Sequence, residues 1–539
     1  MTSVIKDTLA SVALNERVLS SMREYVTATH EVRIRGMEAL ALLLATEPRS
    51  HPSEFVNDVF VRNLCAVVSH PSGTAFRFNG HEALCAWYAA EYEPLKVADE
   101  SARVPISNNL NAYTYLGRSV STAYKNNIAM HFDKHVKRFV EIWVFGGDRS
   151  RCAELFPDDT SRLYFKRLIN ATVHSLLTND TSRDYCELDR LFAAAKASTG
   201  AVIVSFREQL VLDQGADLAP SLDEYAAAFV FPTPREGATA GAATWAQNHY
   251  ATSRGVHALD YLRGMMHMDE LAWEYGARKL VVCPKTTSNI PTYAPIDTVT
   301  ALSHFVSNED ALRATGKSKC ELSKDITLYQ DAIWALVFKT DRKSFSPRRG
   351  KTRFAHFAWT DGTGVSLKKV ARTFDGNNNE IVHKKGFTPA AQRVKVAKKN
   401  GDGGESYVTE LDFANATPLD ARLVTIDPNA RDVVFALEMN ADDPKKPNVF
   451  RYTSMQRRFE TGEKFHRLER AALRARYGLD ALENDLSTVT HKTSTASELK
   501  VYIESSTVAR AETRPGYADT RWRQMRLDAY KGKQRSEAL

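Results

Sequence analysis

Cysteine is scarce and scattered in this chain. Six residues (Cys65, Cys85, Cys152, Cys186, Cys283 and Cys320) are spread over 539 positions with no CxxC pair. That pattern gives no zinc-site spacing and reads as a reduced compartment. No run of about 18 apolar residues occurs, so no bilayer-spanning helix is expected. The opening MTSVIKDTLASVALNERVL carries acids and lacks a basic leader with a small-residue cleavage site, so it is not expected to be a secretory signal. GxSxG, HExxH and the kinase signatures are absent, and no internal repeat has a fixed period. GDGGE at 401–405 is glycine-rich but does not lead from a strand into a helix with Lys-Ser/Thr, so it reads as a hinge, not a nucleotide loop.

What is present is ordinary in bulk and uneven in detail. The apolar share is 43% and the charged share 25%, as in folded proteins, and the length allows about two to four domains. Net charge is +7, yet residues 339–400 alone hold 16 Lys/Arg against 4 Asp/Glu, leaving the remainder acidic. Such concentration is either a polyanion footprint or a solvated basic loop.

Apolar residues at three- and four-residue spacing predict helices over 1–50, 54–68, 81–92, the basic amphipathic stretch at 108–145, and most of 158–278. The character changes near Arg278. KLVVCPKTTSNIPTYAPID, DAIWALVFKTD, RFAHFAWTDGTGVSLKKVAR and SYVTELDF read as strands, with Asp361-Gly362 turning a hairpin. Four segments follow: 1–125 and 126–278, both mostly helical; 279–420, β-rich and basic, in the manner of a small barrel; and 421–539, strand–turn–strand and then charged helices. The final helical pattern still runs at Leu539, and further sequence is expected beyond it.

Residues 423–437, LVTIDPNARDVVFAL, pose the sharpest chemical question. A carboxylate at the end of a buried strand must be paired, hydrogen-bonded or bound to a cation. Asp427 is therefore either the first residue of an Asp-Pro-Asn turn or a Mg²⁺ ligand of the kind that opens RNase H-like metal sites. Further acids follow at Asp432, Asp442, Asp443 and Glu504, but Leu499, Tyr502 and Ile503 around Glu504 are spaced like a helix. His131 and His135 lie four apart on a predicted helix with no third metal ligand, and a surface or phosphate-facing role is expected.

VTIDPNARDVVFAL followed by FRYTSMQRRFETG resembles the first RuvC segment of Fanzor proteins, eukaryotic and giant-virus relatives of the transposon-encoded RNA-guided nuclease TnpB. NNIAMHFDKHVKRFV, RKLVVCPKTTSNIPTYAPIDTVTAL, FAHFAWTDGTGVSL and ADTRWRQMRLDAYKGKQR are similar to further family segments, in family order over 126–539. Asn429 stands where the family has Gly, and residues 1–125 match nothing.

The resemblance implies a multidomain α+β protein with a helical recognition lobe, a β-barrel-like wedge domain and an incomplete RNase H-like (RuvC) α/β domain. It implies an RNA-guided DNA endonuclease with guide RNA and target DNA as partners, Mg²⁺ as cofactor, and Asp427 as the first catalytic, metal-binding carboxylate. The family's second acid, its zinc-binding CxxC pairs and its last Asp are not found in 421–539, so zinc is expected only in sequence beyond Leu539. Cleavage by this chain alone is not expected. Candidate nucleic-acid contacts are Arg348, Arg349, Lys351, Arg353, Lys368, Lys369, Lys384, Lys385, Lys395, Lys398, Lys399, Arg457 and Arg458. A DNA substrate and the basic SPRRGKTR cluster (346–353) imply a nuclear location. The alternatives are a cleavage-deficient RNA/DNA-binding derivative and a structural or replication-associated viral protein.

Overall fold

The computed structural model describes residues 2–69, 82–96, 110–148, 150–178, 183–218, 221–227, 250–345, 352–371, 424–427, 432–438 and 448–538. Helices dominate them, with two antiparallel sheets.

TSVIKDT forms strand β1 (Thr2–Thr8), not the start of the helix expected over 1–50. Its β-branched residues suit an extended ladder, and the distant strand beside it supplies the hydrogen bonds. Helix α1 (Glu16–Thr46) begins where the Asn15 side chain accepts from the Val18 N–H at 2.9 Å. Residues 39–44, ALALLL, are buried all round, as a helix through a core interior must be. Helix α2 (Asp58–Ser69) packs between α1 and α3 (Leu110–Phe145), and α3 runs straight through position 125. The α2–α3 crossing depends on Gly117, where a Cβ would lie 2.6 Å from the Asp58 carbonyl oxygen. Helices α4 (Asp159–Thr178), α5 (Arg183–Thr199) and α6 (Leu262–Glu274) extend this body, as the spacing predicted.

The first sheet is built from β1, β2 (Ala294–Asp297), β3 (Thr352–Thr360) and β4 (Gly364–Ala371) in the order β1-β4-β3-β2. The predicted Asp361-Gly362 hairpin is there. Asp361 Oδ1 accepts from the Thr363 and Gly364 N–H groups at 2.9 and 2.8 Å, and Gly362 takes φ +83°. Alternation sorts the faces: Ile296, Ala358 and Leu367 are buried, while Phe357, Trp359 and Lys368 face outward.

Two strand predictions are corrected. Of KLVVCPKTTSNIPTYAPID only Ala294–Asp297 is a strand. DAIWALVFKTD instead begins as helix α7 (Gln330–Ala335), burying Ile333 and Trp334, and only Phe338 makes an isolated bridge, to Ala13. A short apolar run carries no period that separates helix from strand. SYVTELDF lies outside the described residues, as does the remainder of the predicted barrel at 372–420.

The second sheet is the antiparallel meander β5 (Val424–Asp427), β6 (Asp432–Glu438) and β7 (Asn448–Thr453), in that order. Helices α8 (Ser454–Glu460), α9 (Glu463–Arg476), α10 (Leu479–Ser487), α11 (Ala496–Ala518) and α12 (Thr520–Ala538) follow. Helix α11 returns to α1, so Leu499, Tyr502 and Ile503 join the main core that starts at Leu9. Glu504 projects from the opposite side of α11 and is exposed. No described helix is long and apolar enough to cross a membrane.

Candidate nucleic-acid interface

Asp427 closes β5, paired in register with Phe435 of β6, so the strand–acid–turn–strand pattern is realised in the backbone. Its turn (428–431) and its side-chain surroundings lie outside the described residues. β5 is the edge of its sheet among those residues. No group of three His, Cys, Asp or Glu side chains that could hold a metal ion occurs among them.

Among the described residues, a concentration of basic side chains lies just after the meander. Thr453 caps α8 by accepting from the Gln456 N–H at 2.9 Å, and Arg457 and Arg458 follow on that helix. Gly462, at φ +68°, turns the chain into α9, which places Glu463, His466 and Arg470 along one side at three- and four-residue spacing. Helix α12 contributes Trp522, Met525, Arg526 and Ala529, again one helical face. Close approach of α12 to the Gly462 turn requires Gly532, where a Cβ would stand 2.7 Å from Thr461 Cγ2. The result is a cleft of about 590 Å³ closed on one side by Ile290.

Its electrostatics are one-sided. Four arginines (457, 458, 470 and 526) and His466 face a single acid, Glu463. Glu463 lies 3.5 Å from Arg458 Nε, a solvent-exposed pair that offsets little of the charge. His466 Nε2 lies 3.8 Å from Asp528, and Arg470 Nε donates to the His466 carbonyl at 3.2 Å. Two donors are buried with no hydrogen-bond partner: Trp522 Nε1 and Arg526 Nη1. Burial pulls the Arg526 guanidinium below its ordinary value, with Asp361 opposing. Unmet buried donors cost about 1–3 kcal/mol each. Chemically, guanidiniums grouped around a cleft suit an anion that carries several acceptor oxygens.

The predicted contacts fall into three groups. Arg457 and Arg458 line the cleft. Lys368 stands on the outer face of the first sheet with Nζ 5.9 Å from the Phe357 ring centre, and Arg353 lies on neighbouring β3. Lys369 is a correction: it is fully buried on the inner face, and desolvation lowers its pKa. Adjacent strand residues point to opposite faces, so a Lys-Lys pair cannot present both ammonium groups on one. Arg348, Arg349, Lys351, Lys384, Lys385, Lys395, Lys398 and Lys399 lie outside the described residues, as do Asp442 and Asp443.

His135 is a second correction. It is 2% exposed, with Nε2 buried and unpartnered, so the surface or phosphate-facing role does not hold for it. Arg470, Trp522 and Arg526 also line the cleft, though the sequence pattern alone did not single them out. The signal was present in TRWRQMR, whose Trp522 and Arg526 are four apart, but only the fold brings that face against Arg457.

No family model matches this chain, and no curated protein matches it.

Proposed function

We propose that this chain binds structured RNA through a Fanzor-type scaffold for RNA-guided recognition of DNA. The observation that carries the proposal is the arginine cleft between α8, α9 and α12, lined by Arg457, Arg458, Arg470 and Arg526 against one acid, Glu463. The ordered resemblance over 126–539 supports the same function, since the cleft includes Arg457 and Arg458 of the QRR segment that carries part of it. On this view the first sheet and the basic 339–400 segment belong to a wedge-like domain facing the guide. β5–β7 begins a RuvC-like half in which Asp427 is the first Mg²⁺ ligand. Mg²⁺ held there would supply charge stabilisation and an activated water for phosphodiester hydrolysis. With one of the family's expected acids found in 421–539, the reading is binding without cleavage by this chain alone. A nuclear location would follow from the DNA target.

The test is a salt titration of affinity for a structured RNA, with DNA cleavage followed in parallel. Log affinity should fall steeply and linearly with log salt, because each neutralised phosphate releases counterions. Arg457→Ala/Arg458→Ala should weaken binding across sequences and reduce the slope by about 1 per lost contact. Weak, salt-insensitive binding would reject the RNA proposal. RNA-dependent cleavage lost in Asp427→Ala would reject binding without cleavage.

A further inference from the structure

The segment 290–295 separates two cavities. Ile290 lines the arginine cleft, while Thr292, Tyr293 and Pro295 line a second cavity of about 350 Å³ on the other side. We infer that this second cavity is a stacking pocket for an unpaired nucleobase whose strand continues into the arginine cleft. The inference rests on the nucleic-acid proposal above and adds a site with its own ligand chemistry.

Three aromatic rings, Tyr115, Tyr293 and Trp359, line the pocket beside Thr29, Ser119, Thr122, Thr292 and two arginines. Trp359 stands on the outer face of β3, in register with Pro295 of β2. Phe357 is next on that face, its ring 4.6 Å from Trp359 at 62°, and Tyr115 of α3 meets Phe357 edge-on at 5.5 Å. Tyr293 is 45% exposed at the rim. Antiparallel strands that display aromatic rings beside cations are a recurring platform for unstacked bases.

Two guanidiniums complete the chemistry. Arg33 reaches the cavity from α1, and its Nε is buried with no hydrogen-bond partner. Arg118 lies 3.4 Å from Asp58, but both side chains are largely open to solvent, so that pair yields readily to another acceptor. Flat rings, a planar cation and an unmet donor suit a planar ligand rich in acceptors. Burial and the Asp361 carboxylate raise the pKa of the Tyr293 hydroxyl, and Arg526 of the arginine cleft opposes them, so Tyr293 lies within reach of that cleft's charge. Phosphates in one cavity and a base in the other require only that the strand cross 290–293.

A single-stranded oligonucleotide of about 12 nucleotides, carrying one central 2-aminopurine, is the probe. Stacking should quench its emission on binding to the intact chain. Trp359→Ala should restore emission and weaken binding about tenfold, whereas Trp359→Phe should preserve both. Tyr293→Ala, at an exposed rim position, should partly restore emission in a protein with unchanged melting. Arg457→Ala/Arg458→Ala should reduce affinity and salt slope yet leave saturated quenching intact. Quenching retained in both Trp359→Ala and Tyr293→Ala would overturn the pocket while leaving nucleic-acid binding standing. Absence of any salt-dependent binding would overturn both. Free 2-aminopurine nucleotide binding as tightly as the oligonucleotide would overturn the continuous strand.

Discussion

At the scale of single residues, His135 shows how burial sets chemistry. It lies on α3 among Phe132, Val136 and Phe139, all fully buried, and desolvation, with His131 and Arg138 adding repulsion, lowers its pKa to about 3. Burial likewise lowers His304 to about 4, and His30 and His267 move the same way. Folded His135 is neutral at every pH where an unfolded histidine, near pKa 6.5, takes up its proton. Its contribution is therefore complete above pH 6.5 and is lost as pH falls from there toward 3. The loss approaches about 1.4 kcal/mol per pH unit for one group. His135→Leu should leave stability at pH 7.5 nearly unchanged and shallow the decline between pH 6.5 and 4, measured by urea melts at stepped pH. An unaltered acid limb would refute this. The spacing of His131 and His135 was legible in the sequence, and so was the apolar 132–136–139 stripe. What was read was the pair, when the stripe on which His135 sits decided its fate.

At the scale of elements, α1 and α11 are joined by a buried ion pair. Glu38 is 1% exposed, and Arg510 grips it with Nη1 at 2.6 Å and Nη2 at 3.1 Å. Tyr92 and Ser506 hydroxyls donate to the same carboxylate at 3.0 and 3.1 Å. Glu38→Ala would leave buried Arg510 with only the Ser506 and Thr507 hydroxyls and the more distant Glu31 carboxylate, costing about 3–5 kcal/mol. Glu38→Leu combined with Arg510→Leu should recover much of that loss, because a well-packed apolar pair removes the stranded charge. Urea denaturation of the three variants decides it, and a single-variant loss below about 1 kcal/mol would contradict the pair's role. An acid inside GMEALALLLA announces that it needs a partner, but that partner is 472 residues away, and no local pattern names it. By contrast the Asp361-Gly362 hairpin was legible because a turn's chemistry is contained in its own few residues. Strand β1 was not, since its ladder partner lies beyond residue 360.

At the scale of the whole molecule, segment-by-segment reading reached its limit. The first sheet draws strands from 2–8, 294–297 and 352–371, and helix 496–518 returns to helix 16–46. One continuous apolar core consequently links Leu9 to Ile503. Outside it lie the buried residues Ala436 and Tyr452 of the meander, Leu473 of α9, Leu479 of α10 and Met525 of α12. That smaller body carries the arginine cleft, and it has fewer apolar groups to hold it against chain entropy. It should therefore unfold first, as a distinct lower transition in calorimetry or an earlier-exchanging set of amides. A ligand that binds only the folded cleft stabilises it by RT ln(1 + [L]/Kd), about 2.7 kcal/mol at 100 times Kd. RNA should raise the lower transition selectively, and Arg457→Ala/Arg458→Ala should abolish most of that rise while the main transition stays in place. A single transition for the whole chain would show that the two bodies fold as one. Two transitions with only the upper one moved by RNA would place the binding surface on the main body instead of the cleft.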